Sequence, residues 1–109
     1  MNMRIKPIQS MSYTHGDGWH YHVNSTSYFT LSDALSGMKI PATLRGRVLE
    51  FQIKLHSASI HLANDYGVEW KKAEPLQNIA RSIRYELETI DSSFGPLLDS
   101  IAKMGLARA

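Results

Sequence analysis

Seven apolar residues, Leu44, Val48, Phe51, Leu55, Ala58, Leu62 and Tyr66, recur with alternating gaps of four and three. On an α-helix that spacing lines them along one side for about six turns. Any fold of this chain must therefore be built around a long helix through residues 44–66. Leu49, Ile53 and Ile60 lie to one side and widen the apolar surface beyond the narrow seam of a two-stranded coiled coil. A surface this broad suits a helix at the centre of a bundle, or one that packs on a sheet and also meets another subunit. Pro41 disfavours helical geometry at Ile40, so the helix is expected to begin there or at Thr43. Asn64-Asp65-Tyr66-Gly67 supplies its stop signal.

A second stripe, Leu76, Ile79, Ala80, Ile83, Leu87 and Ile90, follows a helix start at Glu74-Pro75. The segment between the two stripes, which contains Val68, Trp70, Lys71 and Lys72, reads as a short connector and favours an antiparallel hairpin. In the second helix Arg81 and Arg84 precede Glu86, Glu88 and Asp91, the wrong order for the helix dipole. Burial of its stripe must then hold it. Breaks at Asp91-Ser92-Ser93 and Gly95-Pro96 are followed by Leu97, Leu98, Ile101 and Ala102, the pattern of a shorter terminal helix.

Upstream the period changes from helical to alternating. In Trp19-His20-Tyr21-His22-Val23-Asn24, Trp19, Tyr21 and Val23 share one strand face and His20, His22 and Asn24 the other. An edge strand between Met3 and Tyr13, interrupted by Pro7, pairs with it through the turn Thr14-His15-Gly16-Asp17-Gly18. Residues 24–27 read as a polar link. Thr30 caps a short helix through Ala34 and Leu35 that Gly37 ends, with Phe29 placed to staple against Ala34.

These patterns predict an α+β fold: an N-terminal β-hairpin, a short helix, two long amphipathic helices in an antiparallel hairpin, and a short C-terminal helix. With 109 residues, 43% of them hydrophobic, one core is the expectation. The domain reads as 1–109, with a hairpin region at 1–29 and a helical region at 30–109.

The absence of cysteine excludes disulfide staples, thiolate nucleophiles and thiolate-ligated zinc. Twelve basic against ten acidic residues give a net charge of +2 that is spread along the chain rather than gathered in a tail. No apolar run suggests a signal peptide or membrane span, which points to a cytoplasmic protein without membrane contact. Neither a phosphate-binding loop nor a dinucleotide fingerprint is present, and no cofactor is expected.

Four groups of residues could carry function. His15, Asp17, His20 and His22 concentrate imidazole and carboxylate groups near one turn, a combination that can ligate zinc, although a polar strand face carries such residues without any metal. His61 and Asp65, four apart on the long helix, could orient an imidazole, but no nucleophile with a supporting motif accompanies them. Arg45, Arg47, Lys71, Lys72, Arg81 and Arg84 could contact nucleic-acid phosphates if the fold gathers them, with interspersed glutamates diluting their charge. Trp19, Tyr21, Tyr66 and Trp70 are candidate aromatic anchors for a protein partner. The leading expectation is a non-enzymatic regulator or adaptor that binds another protein and occludes or positions its surface, with homodimer formation compatible with the broad stripes. A small nucleic-acid-binding protein and a histidine-based metal protein or enzyme are the alternatives.

Overall fold

A computed structural model describes residues 4–63 and 70–108. Its elements in chain order are β1 (Ser10–Thr14), β2 (Gly18–Val23), β3 (Thr26–Tyr28), α1 (Leu31–Gly37), α2 (Ala42–Ala63), α3 (Trp70–Ile90) and α4 (Phe94–Arg108). The helix demanded by the 44–66 stripe is α2, with Val48, Phe51 and Ala58 buried along it and Leu44 and Leu55 half-buried. It starts directly after Pro41, whose carbonyl accepts the Arg45 N–H at 2.9 Å. The stop signal at 64–67 lies outside the described residues. The two long helices form the expected hairpin. α3 begins earlier than the Glu74-Pro75 signal indicates, so Trp70, Lys71 and Lys72 are helical rather than part of the connector, and Pro75 falls inside the helix. Its missing N–H forfeits one bond near the start, while Ala73, Ala80, Ile83 and Leu87 bury the stripe that holds the rest.

The break between α3 and α4 is also shorter than the sequence suggests, because Asp91 winds it tightly. Its buried carboxylate accepts from the Ser93 N–H at 2.9 Å and from Ser93 Oγ at 2.7 Å, while its carbonyl accepts from Phe94 N–H at 3.1 Å. Gly95 and Pro96 thus lie in the first turn of α4, where a proline removes an N–H that has no helical partner anyway.

The strands form a three-stranded antiparallel sheet in the order β1-β2-β3, one strand more than the expected hairpin. Asn24 adopts a φ of 55°, which lets the chain reverse across Asn24 and Ser25 so that Val23 pairs with Thr26 and Tyr21 with Tyr28. Asparagine tolerates this left-handed conformation better than most side chains, but without a following glycine the turn has no strong signature. β1 pairs with β2 from Ser10 opposite His22 to Thr14 opposite Gly18, with positive φ angles at Gly16 and Gly18. The expected edge strand is shortened to these five residues. Upstream of it, residues 4–9 dock on the end of the chain: Ile5 N–H donates to Ser93 Oγ at 3.1 Å and Ile8 N–H to Ser100 Oγ at 3.0 Å.

Thr30 caps α1 as expected, its hydroxyl accepting the Asp33 N–H at 3.0 Å. Gly37 is the last helical residue, but the left-handed position beyond the helix is Lys39, with φ 63°. Gly37 serves a different purpose. A Cβ there would lie 2.3 Å from the Tyr28 hydroxyl, so the missing side chain makes room for that ring. Phe29 does not staple against Ala34; it is 65% exposed, with its ring against His20 at a centroid distance of 5.0 Å, while Ala34 is buried in the core. One hydrophobic cluster joins Ile5 and Ile8, Tyr21 and Val23 of β2, Leu31, Ala34 and Leu35 of α1, and the inward faces of α2, α3 and α4.

Candidate functional site

Strand register sorts the histidines. His20 and His22 share the open sheet face with Ser10 and Ser12, which stand opposite His22 and His20 on β1. Ser12 Oγ and His22 Nε2 are hydrogen-bonded at 2.8 Å, and the His20 ring is occupied by Phe29. His15 and Asp17 stand exposed at the turn. Among the described residues no group of three or more His, Asp or Glu side chains is placed to hold a metal ion. The proposed ligand set of His15, Asp17, His20 and His22 therefore does not assemble, because the alternation that puts two histidines on one face also spreads them along the strand. Asp65, the partner suggested for His61, lies outside the described residues.

The basic residues are engaged separately. Arg47 bridges α2 to α3, donating to Glu50 at 2.6 Å and Glu86 at 2.5 Å. The hydrogen bond to Glu86 raises the Arg47 pKa from its ordinary value, with the charges of Glu86 and Glu50 adding to it against some desolvation. Arg84 donates to Asp99 of α4 and to Glu88 at 2.7 Å, and the hydrogen bond to Asp99 likewise raises its pKa against some desolvation. Arg45 donates to the Ile40 carbonyl at 2.8 Å, and Arg81 to Asn78 at 3.1 Å. Lys71 and Lys72 are exposed near the start of α3. Two of the six cations thus each face two carboxylates, which leaves little uncompensated charge for a phosphate there. At this exposure each ion pair contributes about 0–1 kcal/mol to stability.

The aromatic anchors divide similarly. Tyr21 is buried in the core, and half-buried Trp19 packs against it with Tyr13 edge-on at 5.3 Å. Tyr66 lies outside the described residues, and Trp70 is described only as the first residue of α3. Among the described residues the large apolar side chains that stand exposed are Tyr13, Phe29, Ile53, Ile60, Ile79, Tyr85 and Ile90. Ile53 and Ile60 are two turns apart on α2, on the side turned away from Val48 and Phe51, and are 57% and 46% exposed. Because Arg47 reaches Glu86, helical spacing puts Ile79, two turns before Glu86, and Ile90, one turn after, along the edge of α3 nearest α2. Ile53 and Ile60 thus make an exposed apolar pair on α2, separate from Ile79 and Ile90, which flank Glu86 on α3. The signal for that pair was present in the sequence as the residues that widened the first stripe. Widening points to a second contact as readily as to a deeper core.

No helix among the described residues is long and apolar enough to cross a membrane. Comparison of the chain with protein-family models, with curated proteins and with solved structures finds no match.

Proposed function

We propose that this small α+β domain is a non-enzymatic regulator or adaptor that acts by covering a surface of another protein. The observation that carries this reading is the pair of exposed isoleucines, Ile53 and Ile60, aligned two turns apart on the outer side of α2. Isolated surface apolar residues are ordinary, but two aligned on one face of a long helix offer a contact centre. A partner of matching chemistry presents an apolar strip.

The test is affinity capture with nuclease-treated and untreated samples, followed by reconstitution from purified partner. Saturable binding that survives nuclease and is lost in an Ile53→Asp/Ile60→Asp variant with unchanged helical content supports the proposal. Capture that disappears with nuclease, or reconstituted binding unaffected by the double substitution, overturns it. Light scattering decides whether the partner on this face is a second copy: a mass of 12.3 kDa at every concentration excludes the homodimer.

A further inference from the structure

The two outer strands of the sheet stand in different surroundings. Among the described residues, α1 packs against β3, where the Tyr28 ring fills the space left by Gly37. β1 packs on β2, and no helix shares a comparable contact with it. Ser10, Ser12, Tyr13 and Thr14 are exposed and Met11 is half-buried. An open strand edge is a template for another strand unless a charge, a proline or a covering element blocks it. Ser10–Thr14 contains neither a charged residue nor a proline, since Pro7 lies ahead of it.

The ladder fixes which backbone groups this edge offers. The two-residue turn at Asn24 and Ser25 makes Val23 and Thr26 a bonded pair, so Val23 and Tyr21 direct their N–H and C=O groups toward β3. His20 and His22 then direct theirs toward β1, in keeping with the Gln9 N–H that donates to the His22 carbonyl at 2.9 Å. Their partners Ser12 and Ser10 bond to β2, which leaves the N–H and C=O groups of Met11 and Tyr13 facing outward. Both side chains lie on the sheet face of Tyr21 and Trp19, where Tyr13 is 60% exposed and meets Trp19 edge-on.

We propose that β1 is the interface with a second copy of this chain, paired antiparallel about a two-fold axis at Ser12. In that register Met11 stands opposite Tyr13 of the second copy, and the two residues exchange both backbone hydrogen bonds on each side of the axis. The same pairing lays the exposed Tyr13 ring across the Met11 side chain of the other copy, a favourable sulfur–aromatic contact. On the opposite face Ser12 meets Ser12 and Ser10 meets Thr14, so no like charges confront each other. The edge suits its own copy because its outward residues are one thioether and one phenol ring, two positions apart, which the two-fold axis brings together twice. Assembly ends at two copies, since α1 already packs against β3 at the other end of the sheet. Ile53 and Ile60 take no part in this contact.

Light scattering across concentration, with hydrogen exchange on the same samples, tests the assignment. The wild-type mass is expected to rise from 12.3 kDa toward twice that value, with the Met11 and Tyr13 amides gaining protection as it does and those of β3 unchanged. Ser12→Lys and Ser12→Asp each set like charges against each other at the axis. Each variant alone should stay monomeric at concentrations where the wild type is half dimeric, with unchanged circular dichroism. Mixing the two in equal amounts should restore the dimer, because opposite charges then face each other, an outcome that damage to the fold would not give. Ile53→Asp/Ile60→Asp should dimerise as the wild type does. A mass of 12.3 kDa up to about 1 mM, a dimer that survives in both Ser12 variants, a mixture that stays monomeric, or a dimer lost in the isoleucine variant would each overturn the proposal.

Discussion

The helical layer and the sheet are held by different means. α2, α3 and α4 meet over Val48, Ile83, Leu87, Phe94, Leu97, Leu98 and Ile101, all at 1% exposure or less. The strands are five, six and three residues long and place only Tyr21 and Val23 among the buried residues. A helix satisfies its own backbone, so an apolar stripe is enough to seat it. A short sheet needs its neighbours in place before its hydrogen bonds repay the ordering of the chain. The helices should therefore set the stability of the molecule, and the sheet should follow.

The largest expected effect lies in the helical layer. Phe94→Ala empties a fully buried site between α3 and α4 and should cost about 3–5 kcal/mol in denaturant unfolding, with the sheet lost in the same transition. Hydrogen exchange sharpens the contrast: amides of β1 and β3 should exchange through local opening, ahead of those in the middle of α2 and α3. Equal protection in both layers would break the comparison. Thr30→Ala tests the joint between them, since α1 is the helix that the sheet packs on. Loss of the cap to Asp33 should cost about 1 kcal/mol and loosen β3 before it loosens α3. The smallest effect concerns the link from Arg84 to Asp99. The hydrogen bond from Arg84 lowers the Asp99 pKa below the ordinary 3.8, so its stabilising contribution is complete above that value and fades as pH falls through the lower folded-state value. With Asp99 64% exposed the total is below about 1 kcal/mol, and Asp99→Asn should flatten the acid limb of the stability profile by no more than that.

What could be read from the residues follows the same division. The helices were legible because a stripe repeated over many turns is a strong signal, and only their ends shifted. Trp70, Lys71 and Lys72 look like a charged link, yet a helix can extend through them because exposed lysines cost it little. β3 was hidden because Thr26-Ser27-Tyr28 is too short to show a period, and because the turn at Asn24 rests on a backbone angle that the side chain merely tolerates. The candidate sites fared according to how far they depended on pairing in space. Alternation correctly separated Tyr21 from His20, but nothing local said that Arg47 would find Glu86 or Arg84 would find Asp99. Ile53 and Ile60 were visible as apolar residues, while their exposure depended on where α3 and α4 settled.

The bonds from Ile5 to Ser93 and from Ile8 to Ser100 join groups separated by 88 and 92 residues. On a ribosome the first part of this fold to be made is consequently among the last to find its place. Until Ser93 and Ser100 are released, the Ile5 and Ile8 amides lack the hydroxyls that hold them, and this segment cannot take its final place.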